Sequence, residues 1–545
     1  MGLIINSFTE AGKNSSNKIQ IIDEEKNVNF WLDFGINHEQ YSRLFSDFIQ
    51  PRKSSGMSDF IKMNLLPKVK GIYRKDFVER SGHEHTTKPS ADIIFNSHAH
   101  QSQISGIPLL RSDMHIGSSH ESHLLMETFQ NIGRGSFEDY VLYKEAFKSI
   151  KDRLEVQRPF TLLENGDTFK IKNRMKVEAW RVDHTLPGAM AYIFHTSKGP
   201  LVYTGDFRSH GHHKEWTAEF WQRVNAIQPY AIIGDGTNFG QPRGLSENQV
   251  YERISDVIAS TDQLVTAHWP ASDMDRLMSF CKAAKDNGRK LAISLKQAQM
   301  IKTLWENNRD ESLTIKGKYL GHGKYEQVSS LNTSATNREI TSQYSPKLDD
   351  ILGEDIVIFV PRKGQGGIME DATAEEVMKD YDSWERELIV KNLADEKHPI
   401  ELGTTFRKTK ASKEKFAFRK NIWVNANDIR NNQGDYVVFN DNYSVINLID
   451  IKPKNGSIAI YSRTGPSNAE DDGKNDTANN WYNYHSIPII EAHSSGHAGG
   501  SQLLKLYQTA NPTHFIQFNS QQPEVAKRME KRGITVHLPS ARYDL

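Results

Sequence analysis

The fold of this 545-residue chain is decided by the segment Ile93-Ile94-Phe95-Asn96-Ser97-His98-Ala99-His100. Its apolar start predicts a short buried strand that runs directly into two histidines. Because side chains alternate along an extended segment, His98 and His100 point to the same side and can reach one ion. An H-x-H pair on its own is more often two hydrogen-bonded or solvent-facing histidines than a metal site, so the rest of the chain must decide between these interpretations.

Other short apolar runs also end in residues that can bind metals or move protons. Carboxylates and imidazoles are the side chains that do this chemistry in hydrolytic sites. The blocks, in chain order, are Leu32-Asp33-Phe34-Gly35, Val182-Asp183-His184-Thr185-Leu186-Pro187-Gly188, Leu201-Val202-Tyr203-Thr204-Gly205-Asp206-Phe207-Arg208, Ile232-Ile233-Gly234-Asp235-Gly236-Thr237-Asn238, His493-Ser494-Ser495-Gly496-His497-Ala498 and Phe515-Ile516-Gln517-Phe518-Asn519-Ser520. Their order along the chain is more specific than any one of them.

In this order the blocks resemble the metallo-β-lactamase fold, and more narrowly the β-CASP nucleases that include ribonuclease J and the mRNA 3′-end cleavage subunits. The resemblance implies an α/β protein with an αββα metallo-β-lactamase sandwich formed by residues 1–246 and 477–545. A β-CASP α/β domain is expected at residues 247–476, where strands and helices alternate. Only 26 residues follow Asn519, so we expect no counterpart of the C-terminal domain of ribonuclease J.

The resemblance implies one metal site, formed by His98, His100 and His184 with Asp206 as the bridging carboxylate. Three neutral imidazoles and one carboxylate are enough for a single zinc ion, which lowers the pKa of bound water to about 7. Asp33 is expected to orient the metal-binding loop through hydrogen bonds rather than to bind the ion itself. The expected cofactor is therefore one Zn²⁺ per chain, with Mn²⁺ as the alternative ion.

The resemblance also implies catalytic roles for Asp206, Asp235 and His497. Asp235 would orient a ligand histidine or relay a proton; the alternative is a turn aspartate at a strand end. His497 would hydrogen-bond a phosphate, with Ser494, Ser495 and the amides of the following helix in support. The alternative for His497 is a structural cap.

The second metal site of the family is degenerate in this sequence. The family's H-x-H-x-D-H reads His98-Ala99-His100-Gln101-Ser102-Gln103, and its closing Pro-x-His reads Gln517-Phe518-Asn519. Ser102, Gln103 and Asn519 thus replace three ligands with uncharged side chains, and only Asp206 remains. The two-metal clamp that holds nucleophile and phosphate oxygen in the family is lost.

A basic stretch is the one candidate nucleic-acid contact. It contains Arg407, Lys408, Lys410, Lys413, Lys415, Arg419 and Lys420, interleaved with Phe406, Phe416 and Phe418. Cations and aromatic rings in this arrangement suit a groove for single-stranded nucleic acid. The same pattern is also typical of a solvated charged segment whose phenylalanines belong to a core.

Composition limits the remaining function classes. The 68 Lys and Arg residues balance 68 Asp and Glu residues, so any nucleic-acid binding must use a local patch. The single cysteine, Cys281, excludes an internal disulfide and any multi-cysteine metal site. The sequence lacks a signal peptide and a stretch long enough for a membrane span, which predicts a cytoplasmic protein without a membrane partner.

Two functions are compatible with these residues. The first is a metal-dependent phosphodiesterase, a ribonuclease J-like nuclease that acts on RNA or single-stranded DNA with one metal ion. The alternative is a catalytically inactive β-CASP protein that binds nucleic acid or serves as a partner subunit, in a homo-oligomer or a hetero-oligomer. The retained histidines favour the enzyme, and the three missing ligands favour the inactive protein.

Overall fold

The computed structural model describes residues 2–8, 16–46, 48–82, 84–133, 137–149, 151–242, 244–306, 317–319, 325–327, 354–361, 381–386, 423–463, 469–520 and 522–545. The chain divides into two compact units. The first unit comprises Met1–Gly244, Asp310–Thr341 and Ser495–Leu545, and the second comprises Leu245–Arg309 and Ser342–Ser494. The domain boundaries read from the sequence, at residues 246 and 476, stay a prediction.

The strands and helices alternate along much of the chain. The strands are β1 (Leu3–Ser7), β2 (Ile19–Asp23), β3 (Val28–Leu32), β4 (Ile93–Phe95), β5 (Ile116–Ser119), β6 (Leu142–Lys144), β7 (Glu155–Gln157), β8 (Phe160–Leu163), β9 (Thr168–Ile171), β10 (Met175–Arg181), β11 (Met190–Thr196), β12 (Gly199–Tyr203), β13 (Ala231–Asp235), β14 (Val265–His268), β15 (Lys290–Ile293), β16 (Gly317–Tyr319), β17 (Tyr325–Gln327), β18 (Ile356–Phe359), β19 (Trp423–Val424), β20 (Tyr436–Phe439), β21 (Ile458–Tyr461), β22 (Ile489–Glu491), β23 (His514–Phe518), β24 (Thr535–His537) and β25 (Arg542–Asp544). The α-helices are α1 (His38–Leu44), α2 (Ser58–Lys62), α3 (Lys75–Arg80), α4 (Gln101–Ile104), α5 (His120–Ile132), α6 (Lys214–Ile227), α7 (Glu247–Ala259), α8 (Met274–Asp286), α9 (Leu295–Glu306), α10 (Ala426–Asn431), α11 (Leu448–Ile451), α12 (Ala469–Tyr484) and α13 (Gly500–Ala510). Short 3₁₀ helices lie at Lys53–Ser55, Ile107–Leu109, Gln433–Asp435, Val445–Asn447 and Pro523–Arg532.

Two seven-stranded sheets form the first unit. Their strand orders are β25-β1-β2-β3-β4-β5-β8 and β24-β23-β13-β12-β11-β10-β9. Every second side chain along these strands is apolar and points into a core that the two sheets share. Ile19 and Ile21 of β2 and Tyr192 and Phe194 of β11 are examples. Burial of these residues on both facing sheets holds the two sheets together.

Helices cover the outer faces of these sheets. Apolar residues of α6, α13 and the helix Pro523–Arg532 pack on the outer side of β12, β13 and β23 in a second core, which includes Phe220, Tyr507 and Met529. Helix α5 packs against β5 and β8 of the other sheet. The first unit is therefore an α/β sandwich, and the α/β class predicted from the sequence is confirmed.

The second unit is built around one parallel sheet. Its strand order is β19-β18-β15-β20-β14-β21-β22, and every pair in it is parallel. The strands read as short apolar runs such as Ile356–Phe359, which is buried throughout, as expected when helices cover both faces. Helix α7 begins with a capping box between Ser246 and Gln249. Within the described ranges, no helix combines the length and apolarity that crossing a membrane requires.

Candidate metal centre

Asp33 anchors the loop that carries the two histidines. β3 and β4 pair in parallel, so their carboxyl ends meet at one edge of the sheet. Asp33 follows β3 with a positive φ of 52° and is completely buried. Its carboxylate accepts hydrogen bonds from the Ser97 backbone N–H (2.6 Å), the Ser97 hydroxyl (2.8 Å), the Tyr203 hydroxyl (2.6 Å) and the Asn96 side-chain Nδ2 (3.3 Å). Burial raises the pKa of Asp33 to about 6, against the effect of these hydrogen bonds.

The three imidazoles converge on one point. His98 Nε2 lies 2.9 Å from His100 Nδ1, and His184 Nε2 lies 3.3 Å from the same atom. The outer nitrogens are engaged, since His98 Nδ1 contacts the Ser97 hydroxyl at 2.9 Å and His184 Nδ1 contacts the Gly496 carbonyl at 2.8 Å. The Ser97 hydroxyl already donates its hydrogen to Asp33, and the Gly496 carbonyl can only accept a hydrogen bond. Both His98 and His184 therefore carry their protons on Nδ1 and turn an Nε2 lone pair inward.

Asp206 reaches the same point from β12. Gly205 has a φ of 54°, and a Cβ on it would lie 2.9 Å from the Met190 carbonyl and 3.0 Å from the Ser97 Cβ, so only glycine fits this turn. The turn places Asp206 Oδ2 3.6 Å from His98 Nε2. Asp206 is nearly fully buried at the edge of the imidazole cluster.

The donor atoms of His98, His100, His184 and Asp206 all lie within 4.8 Å of one another, so the cluster can hold a metal ion. Four ligands at zinc–nitrogen distances of about 2.0–2.1 Å around a tetrahedral ion are separated by about 3.3 Å, close to the spacing of these atoms. Burial lowers the pKa of all three histidines, that of His100 to about 3, which keeps the imidazoles neutral as ligation requires. The residues present therefore fit a zinc ion.

An ion pair lies next to this cluster. Asp235 ends β13, accepts hydrogen bonds from the Thr237 amide (2.9 Å) and hydroxyl (2.6 Å), and contacts His497 Nδ1 at 2.7 Å. Burial opposes a charge on His497, but the carboxylates of Asp235 and Asp206 raise its pKa to about 9. Burial raises the pKa of Asp206 to about 7, with His497 lowering it and Asp235 and Asp33 raising it further. His497 thus presents a positive, partly exposed imidazolium beside Asp206.

The two serines of the phosphate-binding prediction lie in different units. Ser495 belongs to the first unit, where its hydroxyl accepts hydrogen bonds from the His497 amide and from Asn238 Nδ2, both at 3.1 Å. Ser494 belongs to the second unit, where its hydroxyl donates to the Leu245 carbonyl at 2.8 Å. The phosphate-binding role of both serines stays a prediction.

The positions predicted to be a degenerate second metal site meet at Asp206. Ser102 and Gln103 lie on α4, and Gln103 Nε2 donates to Asp206 Oδ2 at 3.2 Å. The Ser102 hydroxyl donates to Gln103 Oε1. Asn519 directly follows β23 with a φ of 52°, and its side chain acts to lower the pKa of Asp206. Neutral hydrogen-bonding side chains therefore stand at all three of these positions beside Asp206.

Comparison with known proteins finds relatives that match parts of this chain. No family model matches the chain. It is 29% identical over 156 residues to ribonuclease J of Sinorhizobium meliloti (28% of this chain and 26% of the relative), and 29% identical over 130 residues to ribonuclease J2 of Bacillus subtilis (23% of each). It is 26% identical over 218 residues to ribonuclease J of Thermus thermophilus (38% of this chain and 35% of the relative). The chain is ribonuclease J-like. The resemblance to β-CASP proteins of the ribonuclease J type is thus confirmed, over matches that span between 23% and 35% of these relatives' length.

A solved structure is similar over the full length. It is the crystal structure of a protein of unknown function from Enterococcus faecalis V583, with a TM-score of 0.63, 15% sequence identity and coverage of 100% of both chains. At this identity the likeness shows a shared fold and nothing further about this ribonuclease J-like chain.

Sequence reasoning missed the ion pair that joins two ligand segments. Asp183 precedes His184, Arg208 follows Asp206 by two residues, and both members of the pair are completely buried. Arg208 Nε lies 3.2 Å from Asp183 Oδ1, and the Arg208 amide donates to the Asp183 carbonyl at 2.7 Å. Asp183 and Arg208 lie in the sequence blocks that contain His184 and Asp206, but no local sequence pattern indicates that the two residues pair.

Asn238 was also missed, although it closes the Asp235 block. Its Nδ2 donates to the carbonyls of His497 (3.0 Å) and Ala498 (3.2 Å) and so fixes the backbone around His497. The predicted nucleic-acid contacts, Arg407, Lys408, Lys410, Lys413 and Lys415, lie outside the residues that the structure describes.

Proposed function

We propose that this protein is a metal-dependent phosphodiesterase, a β-CASP nuclease that cleaves RNA or single-stranded DNA with one metal ion. The observation that carries this proposal is the convergence of four donor atoms, from His98, His100, His184 and Asp206, within 4.8 Å. The relatives bear the name ribonuclease J, which supports a nucleic-acid substrate. We expect it to act in the cytoplasm, alone or as a homo-oligomer or hetero-oligomer.

The proposal includes the fold. Residues 1–246 and 477–545 would form the metallo-β-lactamase sandwich, and residues 247–476 would form the inserted β-CASP domain. Two facing sheets covered by helices support the first assignment, and a separate parallel sheet supports the second.

The chain's own residues supply binding, orientation and a positive charge. A zinc ion, or a manganese ion in its place, would supply Lewis-acid polarisation of a phosphate and a lowered pKa of water. His497 donates through Nε2 to a phosphate oxygen, because Asp235 engages its Nδ1 at 2.7 Å and fixes the ring. Asp33 keeps the ligand loop in place through three hydrogen bonds from Asn96 and Ser97, and Asn238 fixes the backbone around His497.

A second candidate function is a catalytically inactive β-CASP subunit that binds nucleic acid or a partner protein. The hydrogen bond between Gln103 and Asp206 favours it, since a side chain at a ligand position of the family ties down the bridging carboxylate instead of holding an ion. Without a second ion, charge that develops on the phosphate is stabilised less.

Metal analysis paired with a cleavage assay tests the enzyme. We expect purified protein to contain one zinc ion per chain and to cleave labelled RNA or single-stranded DNA, and we expect His100→Ala to lose both properties. His38→Ala is the matched control, because His38 is an exposed histidine of α1. A protein that holds one zinc ion and cleaves neither polymer would favour the inactive subunit, and a protein that binds no metal would refute the enzyme.

Restoring the second site separates the two functions further. Ser102→Asp, Gln103→His and Asn519→His together return the family's ligands beside Asp206. If the enzyme proposal holds, the triple variant binds two ions and cleaves faster by orders of magnitude, because a second ion again stabilises the developing charge. A variant that binds two ions and still cleaves nothing would indicate a protein that has been repurposed for binding.

A further inference from the structure

The buried amide of Gln103 shares an oxygen atom with the metal-ligand cluster. Gln103 is only 1% exposed, and its Nε2 donates to Asp206 Oδ2 at 3.2 Å. The same Oδ2 lies 3.6 Å from His98 Nε2, on the cluster of imidazoles. One carboxylate oxygen therefore lies beside His98 Nε2 and also accepts the N–H of the glutamine amide.

The direction of this amide follows from its second contact. The Ser102 hydroxyl donates to Gln103 Oε1, which leaves Nε2 to face Asp206. In the opposite orientation Oε1 would stand 3.2 Å from a carboxylate oxygen, and two acceptors at that distance with no hydrogen between them repel each other. Ser102 thus holds the N–H donor of Gln103 against Asp206.

A carboxylate oxygen offers two acceptor directions. An ion held by His98, His100 and His184 needs one direction of Asp206 Oδ2, and the Gln103 N–H takes the other. A second ion that shares this oxygen would have to displace the N–H donor, and the side chains at positions 102, 103 and 519 would offer it no charge in exchange, because all three are uncharged.

We propose that Gln103 is a positioning residue that limits the centre to one metal ion. Its amide holds Asp206 Oδ2 in place for the ion bound by the histidines and occupies the position that a second ion needs. This inference rests on the proposed single-metal centre and adds the residue that enforces the stoichiometry.

Two substitutions test this role through metal binding rather than through catalysis. Gln103→Met removes the donor at similar volume, and losing a hydrogen bond to a ligating carboxylate typically weakens metal affinity 10- to 100-fold. We expect the zinc Kd to rise at least about tenfold while the stoichiometry at saturation stays at one. Gln103→Glu places a second carboxylate against Asp206, and two adjacent carboxylates require a cation or a proton between them. We expect this variant to take up a second equivalent of Mn²⁺, an ion that prefers oxygen ligands.

The controls are Gln101→Met and Gln101→Glu. Gln101 is an exposed glutamine of the same helix, and its Oε1 accepts a hydrogen bond from the Tyr140 hydroxyl at 3.0 Å. Both control variants are expected to bind one ion with unchanged affinity. Isothermal titration with Zn²⁺ and Mn²⁺, checked by elemental analysis of dialysed protein, gives affinity and stoichiometry.

The outcomes distinguish this inference from the proposed function. If the unaltered chain binds no metal, the proposed function fails and the role of Gln103 fails with it. If the chain binds one zinc ion but Gln103→Met keeps its affinity, or a folded Gln103→Glu stays at one equivalent of Mn²⁺, only the inference is overturned. Circular dichroism establishes folding, and the Met variant decides the matter if the Glu variant does not fold.

Discussion

We expect Asp183→Asn to lower the free energy of unfolding strongly, because it breaks the buried ion pair between Asp183 and Arg208. Asp183 Oδ1 lies 3.2 Å from Arg208 Nε, and Oδ2 accepts the Gly211 amide at 2.7 Å. An asparagine has one acceptor oxygen and one NH₂ group, so one of these two donors must face another donor, whichever way the amide turns. The substitution also leaves the guanidinium of Arg208 without its buried counter-charge.

Breaking a buried ion pair by removing one partner costs about 3–5 kcal/mol, a large part of the roughly 5–15 kcal/mol that stabilises a typical domain. The pair also joins the residue before His184 to the residue two positions after Asp206. Displacing either ligand should raise the zinc Kd about 10- to 100-fold, as loss of supporting contacts does at other metal sites.

Hydrogen exchange of peptides from β11 and β12 measures the stability effect, because these strands belong to the unit that contains the pair. A zinc titration measures the effect on the site. Asp544→Asn is the control, since the Arg542–Asp544 pair is mostly exposed and should change stability by less than about 0.5 kcal/mol. A loss below about 1 kcal/mol in Asp183→Asn, with unchanged zinc affinity, would refute the reasoning.

Three further predictions concern metal occupancy, pH dependence and nucleic-acid binding. His100→Ala should abolish bound zinc in elemental analysis, because the three donor residues that remain no longer surround an ion. Retention of a full equivalent of zinc would contradict this. Burial, with help from Glu121, raises the pKa of Glu164 to about 7 in the folded protein from 4.5. The folded state then holds a proton that the unfolded state has released, so stability should fall as pH rises from about 4.5 to 7. Glu164→Gln should flatten that part of the denaturation profile, and an unchanged slope would exclude Glu164 as the cause. Replacing Lys410, Lys413 and Lys415 by Glu should weaken RNA binding and reduce its salt dependence, because fewer phosphates are neutralised; unchanged binding in a filter assay would make that segment a solvated loop.

Local sequence was sufficient for the elements that carry the candidate site. The apolar run at Ile93–Phe95 predicted the strand that the structure contains, because burial and alternation act on neighbouring residues and are visible in a short window. The prediction that His98, His100, His184 and Asp206 bind one ion came from the family resemblance of the blocks in which they stand, since side-chain chemistry alone showed only that each of them can bind a metal. Uncharged residues at positions 102, 103 and 519 indicated that a second ion lacks its ligands.

Tertiary structure alone decided which of these side chains meet and how. The Gln103 contact with Asp206 spans 103 positions, the His497 contact with Asp235 spans 262, and the His184 contact with Gly496 spans 312. Such contacts depend on the order in which strands join a sheet and on glycine turns such as that at Gly205, and neither leaves a periodic pattern in the chain. The sequence predicted which family ligands are absent at positions 102, 103 and 519. Only the folded protein showed that the Gln103 amide donates a hydrogen bond to Asp206.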